Sequence, residues 1–109
     1  LMSHVDPQGR EIWITATLVS PAVKQGQVLR ITGVASSEAW LNGVFLGANG
    51  RPGGDARSER PGRYEAEFAI PPSAWGSEQS VLTLRLSSFH AGARLARPIG
   101  TISVVPARD

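Results

Sequence analysis

The sequence predicts an all-β protein, an antiparallel β-sandwich in a single domain. Three observations carry the prediction. Stretches in which apolar and polar residues alternate with period two recur along the chain, several of them rich in β-branched residues. Gly, Pro and Asn punctuate them, and Asn42-Gly43 sits between two apolar runs. No stretch carries the periodicity of a long amphipathic helix. About seven short strands and one helical turn follow, the element content of a sandwich.

The first strand is Glu11–Val19, in which Ile12, Ile14, Ala16 and Leu18 share one face and Trp13, Thr15, Thr17 and Val19 the other. Ser20 and Pro21 close it, because proline has no N–H to give a ladder. Lys24-Gln25-Gly26 turns the chain into a second strand over 28–34. Asn42-Gly43 then predicts a type I′ hairpin, since both central residues need positive φ and these two adopt it at least cost. The turn sets Leu41 opposite Val44, Trp40 opposite Phe45 and Ala39 opposite Leu46. Both faces of the hairpin are largely apolar, so it is expected inside the sandwich and away from its edge, with Trp40 in the core.

Residues 48–62 (ANGRPGGDARSERPG) have no hydrophobic period and read as a long exposed loop. Residues 63–70 alternate, with Tyr64, Ala66, Phe68 and Ile70 inward and Glu65 and Glu67 outward, until Pro71-Pro72 stops them. The segment 72–76 suits one helical turn, with proline at its start and Gly76 at its stop, and Trp75 is expected to plug one end of the sandwich. Over 81–89, Leu82, Leu84 and Leu86 line one face against Thr83 and Arg85. A second loop, 90–98, leads to a last strand over 99–105, ended by Pro106.

At 109 residues and 11.6 kDa the chain is long enough for one domain and too short for two. Its 41% hydrophobic and 18% charged content is that of a folding chain. No apolar run approaches the roughly 20 residues a membrane span needs. Cysteine is absent, which excludes disulfides and thiolate chemistry, and two histidines, His4 and His90, leave little for a metal centre; no cofactor is called for. The net charge is +2, yet the pI is near 9.9 because all the cations except Lys24 are arginines. Through Arg51, Asp55, Arg57, Glu59, Arg60, Arg63 and Glu65 the signs are mixed. A phosphate-tracking face needs uncompensated cations, so nucleic acid is not an expected partner.

The ordered segments Ala39-Trp40-Leu41-Asn42-Gly43, Leu46-Gly47, residues 64–70 and residues 81–86 resemble the galactose-binding-like jelly roll, the fold of the sugar-binding domain of family 2 glycoside hydrolases. A narrower set is similar to the extracytoplasmic sensor domains of bacterial membrane histidine kinases and diguanylate cyclases. It comprises Arg10-Glu11-Ile12-Trp13, Leu41-Asn42-Gly43 through Gly47, Asn49-Gly50-Arg51-Pro52-Gly53, Pro61-Gly62-Arg63 and Leu84-Arg85-Leu86-Ser87-Ser88. The resemblance covers most of residues 10–105. It implies a jelly roll in the periplasm with a signalling role. A chain that opens at Leu1 with no signal-like segment is expected to be a piece of a longer protein, and the stretch after Val105 is expected to lead toward a membrane helix, so that the membrane is met only through the parent chain.

Catalytic patterns are weak. Glu65 and Glu67 are neighbours at about 7 Å on one strand face, a pair that could serve glycoside hydrolysis but that more ordinarily forms a solvated outer face. In family 2 hydrolases the catalytic pair sits in a separate barrel domain. Ser87, Ser88, His90 and Asp55 hold the residue types of a serine triad without its strained Gly-x-Ser-x-Gly turn. Residues 50–54 (GRPGG) lack the Lys and Ser/Thr of a phosphate-binding loop. Trp13, Trp40 and Trp75 offer rings for sugar stacking or for packing; the direction of Trp13 is left open, because Thr15 and Thr17 share its face.

The remaining candidates lie on the two loops. Asn49, Arg51, Asp55, Arg57, Arg60, His90, Arg94 and Arg97 supply amide, carboxylate and guanidinium groups suited to hydroxyls or carboxylates, and loops at one end of a sandwich commonly form its recognition surface. The expectation is a non-catalytic ligand-binding or sensory module, the periplasmic input domain of a membrane-bound signalling protein, with a small molecule or carbohydrate as ligand. Two alternatives stand beside it: an accessory carbohydrate-binding domain of a secreted glycoside hydrolase, and a structural module that forms a homodimer.

Overall fold

A computed structural model of the chain describes residues 2–5, 11–33, 36–55, 57–58, 65–87 and 99–106. Among these are eight strands: β1 (Met2–Val5), β2 (Glu11–Val19), β3 (Gln27–Gly33), β4 (Ser36–Leu41), β5 (Val44–Asn49), β6 (Glu65–Ala69), β7 (Gln79–Ser87) and β8 (Ile99–Pro106). A single 3-10 turn, Pro72–Ala74, precedes β7. The strands form two antiparallel sheets, one ordered β1-β2-β7-β4-β5 and the other β6-β3-β8.

One core joins the sheets. From the larger sheet come Ile14, Ala39, Leu41, Leu82, Leu84 and Leu86; Leu29, Ile31, Ala66 and Phe68 face them from the smaller. Leu29, Leu41, Leu84 and Leu86 are almost wholly buried, and each contributes about 1.5–3 kcal/mol relative to an exposed side chain. Period-two alternation places them there: along β7 the leucines point inward while Val81, Thr83 and Arg85 face out. In β6, Ala66 and Phe68 are buried and Glu65 and Glu67 exposed, as expected. Trp75 is buried and closes the end of the core beside the 3-10 turn.

The elements match the expected ones with small shifts. The second strand runs Gln27–Gly33, the last Ile99–Pro106, and the leucine strand starts at Gln79; residues 34, 63, 64, 88 and 89 lie outside the described residues. β1 had no signal in the sequence. Its four residues carry no marked apolar alternation, and it joins by backbone pairing with β2, Met2 opposite Thr15 and Val5 opposite Ile12.

The hairpin needs three corrections. Asn42 and Gly43 have φ of 50° and 80°, the positive values the turn demands, and Leu41 faces Val44 and Trp40 faces Phe45. Ala39, however, pairs with Gly47 across a bulge, and Leu46 is the extra residue. The bulge brings a glycine to the inward face where Phe68 of the other sheet approaches; a Cβ there would lie 2.7 Å from Phe68 Cδ1. Second, only β4 is interior. β5 is the edge of its sheet. Third, Trp40 is half-buried on the outer face and not in the core. The apolar second face of the hairpin serves an aromatic row on the sheet exterior. The expected loop over 48–62 is also not wholly exposed, because Pro52 and Gly53 are buried.

Candidate functional site

β5 and β7 both run antiparallel to β4, so their C-terminal ends lie at the same end of the sheet. The loops that follow them, which carry the sequence-derived candidates, therefore leave from one end. A hydrogen bond ties the first to the root of the second: the Gly53 N–H donates to Ser87 Oγ at 3.0 Å, in a buried contact. Pro52 and Gly53 anchor the loop, and Arg51 stays exposed beside them.

Asn49 closes β5, half-buried, opposite Ser37. Asp55 and Arg57 are exposed. Asp55 shapes a tight turn with Ser58, whose N–H and hydroxyl both donate to its Oδ1 at 2.9 Å. These bonds, the backbone one foremost, hold the Asp55 carboxyl below its ordinary value. Its oxygen is thus engaged in loop geometry, while the neighbouring Arg51 and Arg57 project to solvent. Arg60, His90, Arg94 and Arg97 lie outside the described residues.

A second surface, seen in the sequence only in pieces, lies on the outer face of the five-stranded sheet. Trp13 points outward and stacks on Trp40 with ring centroids 5.9 Å apart and 21° between planes. Trp40 meets Phe45 at 5.5 Å in a tilted pair. Trp13 and Phe45 are 39% and 52% exposed, so the row is partly open to solvent. Arg85 borders it, its guanidinium 5.7 Å from the Trp13 ring centroid, which is cation–π range. The same side chain pairs with Glu11 at 3.0 Å and Glu38 at 3.5 Å. Outward alternation of Trp13 with the Trp40–Phe45 register was the available signal; what the sequence lacked was the strand order that places β2 and β4 on either side of β7.

Glu65, one of the paired carboxylates, accepts from Arg30 at 2.9 Å; the contact raises the Arg30 pKa through that hydrogen bond first. It acts as an ordinary surface ion pair. Compared with known proteins, the chain matches no protein-family model and no curated protein at a significant level.

Proposed function

We propose that this chain is a non-catalytic ligand-binding module with the galactose-binding-like jelly-roll fold, acting as the periplasmic input domain of a membrane-bound bacterial signalling protein of the histidine kinase or diguanylate cyclase type. The observation that supports this reading is the buried hydrogen bond by which Gly53 of the first loop donates to Ser87, the last residue of β7, from which the second loop departs. Arg51 and Arg57, exposed on that end, have the fork geometry that recognises carboxylates and hydroxyls. A ligand held there signals only through different affinity for two packings of the domain against its neighbours or its twin.

A second reading has its own observation. The row Trp13, Trp40 and Phe45 is a partly exposed aromatic cluster next to the charged Arg85, Glu11 and Glu38, residue types that suit the apolar face of a sugar ring and its hydroxyls. It supports an accessory carbohydrate-binding domain of a secreted glycoside hydrolase.

A thermal-shift screen of the purified chain against sugars, organic acids and amino acids separates the two. The sensor reading expects a hit, weakened at least about tenfold, or 1.4 kcal/mol, by Arg51→Ala and left intact by Trp40→Ala. The carbohydrate reading expects a saccharide hit with the opposite sensitivity. No shift with any compound, together with concentration-dependent sedimentation, transfers the function to homodimer formation and overturns both.

A further inference from the structure

Opposite the loop end, the sandwich opens into a cleft of about 350 Å³. Leu18 of β2, Leu29 of β3 and Leu82 of β7 form its walls with Trp75, and Ile102 and Val104 of the edge strand β8 form its lip. Every turn between strands at this end, 20–26, 42–43 and 70–78, is among the described residues, and none of them fills it. Gln27 and Ser103 are the polar side chains at its rim, and among the described residues no charged side chain lines it. Its size and lining are those of a small-molecule site, apolar with a few polar groups.

Trp75 adds a second, independent observation. The residue is 8% exposed, and its indole N–H is buried without a hydrogen-bond partner among the described residues. Buried donors are nearly always paired, and an unpaired one carries a desolvation penalty that an acceptor relieves. Trp75 itself lines the cleft, so its unpaired N–H lies in the residue that closes the cleft's inner wall.

We propose that this cleft binds a small neutral amphiphile, an apolar body carrying one hydrogen-bond acceptor. The volume of about 350 Å³ sets the size of the body. A charged ligand is disfavoured, because its head would lose water and meet no counter-charge among the described residues. The site is independent of the loop end.

The test uses the protein's own fluorescence. Trp13, Trp40 and Trp75 are its three tryptophans, so the double variant Trp13→Phe/Trp40→Phe leaves Trp75 as sole reporter. Titration with 1-octanol is expected to change its emission saturably, octanoate to bind at least about tenfold more weakly, and Ile102→Phe, which fills the lip, to weaken octanol binding. The proposal is overturned by a non-saturating response to octanol, by equal affinity for octanoate, or by indifference to Ile102→Phe. If the double variant does not fold, thermal shifts of the natural chain and of Ile102→Phe with the same two compounds give the same decision.

Discussion

Asn42 holds a φ of 50° and works with both ends of its side chain. Its Nδ2 donates to the Ala74 carbonyl and its Oδ1 accepts from the Val81 N–H, each at 2.8 Å. It thereby clamps the hairpin turn to the 3-10 turn and to the start of β7. Asn42→Ala removes two hydrogen bonds, about 0.5–1.5 kcal/mol each, and sets a residue averse to positive φ in the turn, at about 1–2 kcal/mol. The expected loss is about 2–5 kcal/mol, a fall in Tm of roughly 8–20 °C; an unchanged melting point would refute the clamp. Gly47 is another constrained position. Its missing Cβ leaves room for the Phe68 ring, so Gly47→Ala is expected to cost about 1–3 kcal/mol by overpacking. Gly47→Ala/Phe68→Leu should be less destabilised than the two single changes summed, as denaturant unfolding of the cycle would read.

At the scale of elements, the 55–58 turn has its own pH dependence. Two hydrogen bonds from Ser58 lower the Asp55 pKa below 3.8. The order they give is complete at neutral pH, starts to fade as pH falls through the unfolded value near 3.8, and is gone below the lowered folded value. The Ser58 amide resonance is expected to move across that acid window, and to stay still in Asp55→Asn; an acid shift of equal size in the variant would remove Asp55 as its cause. Legibility also differed by element. β2, β6 and β7 were readable because a buried face imposes strict alternation, as Leu82, Leu84 and Leu86 show. The bulge at Leu46 was not, since it answers to Phe68 on another sheet. β1 was not either, because its four residues carry no marked apolar alternation.

For the whole molecule, the two-sheet architecture followed from local patterns, whereas the strand order did not. β7 lies between β2 and β4, and this order alone assembles Trp13, Trp40 and Arg85 on one face from positions far apart in the chain. The same order sends both candidate loops from one end and leaves the apolar cleft at the other. The loop candidates were legible through their side-chain chemistry, and the Gly53–Ser87 contact, which ties the first loop to the end of β7, depends on a strand order that local patterns do not carry. The most direct measurement of the central claim is an amide-resolved NMR titration with the best ligand of the thermal screen. Shift changes centred on Asn49, Arg51, Gly53 and Ser87 are expected, with the ligand near 100 times its Kd adding about 2.7 kcal/mol of stability. Changes confined to the Trp13–Trp40–Phe45 face, or no change with any compound, would contradict it.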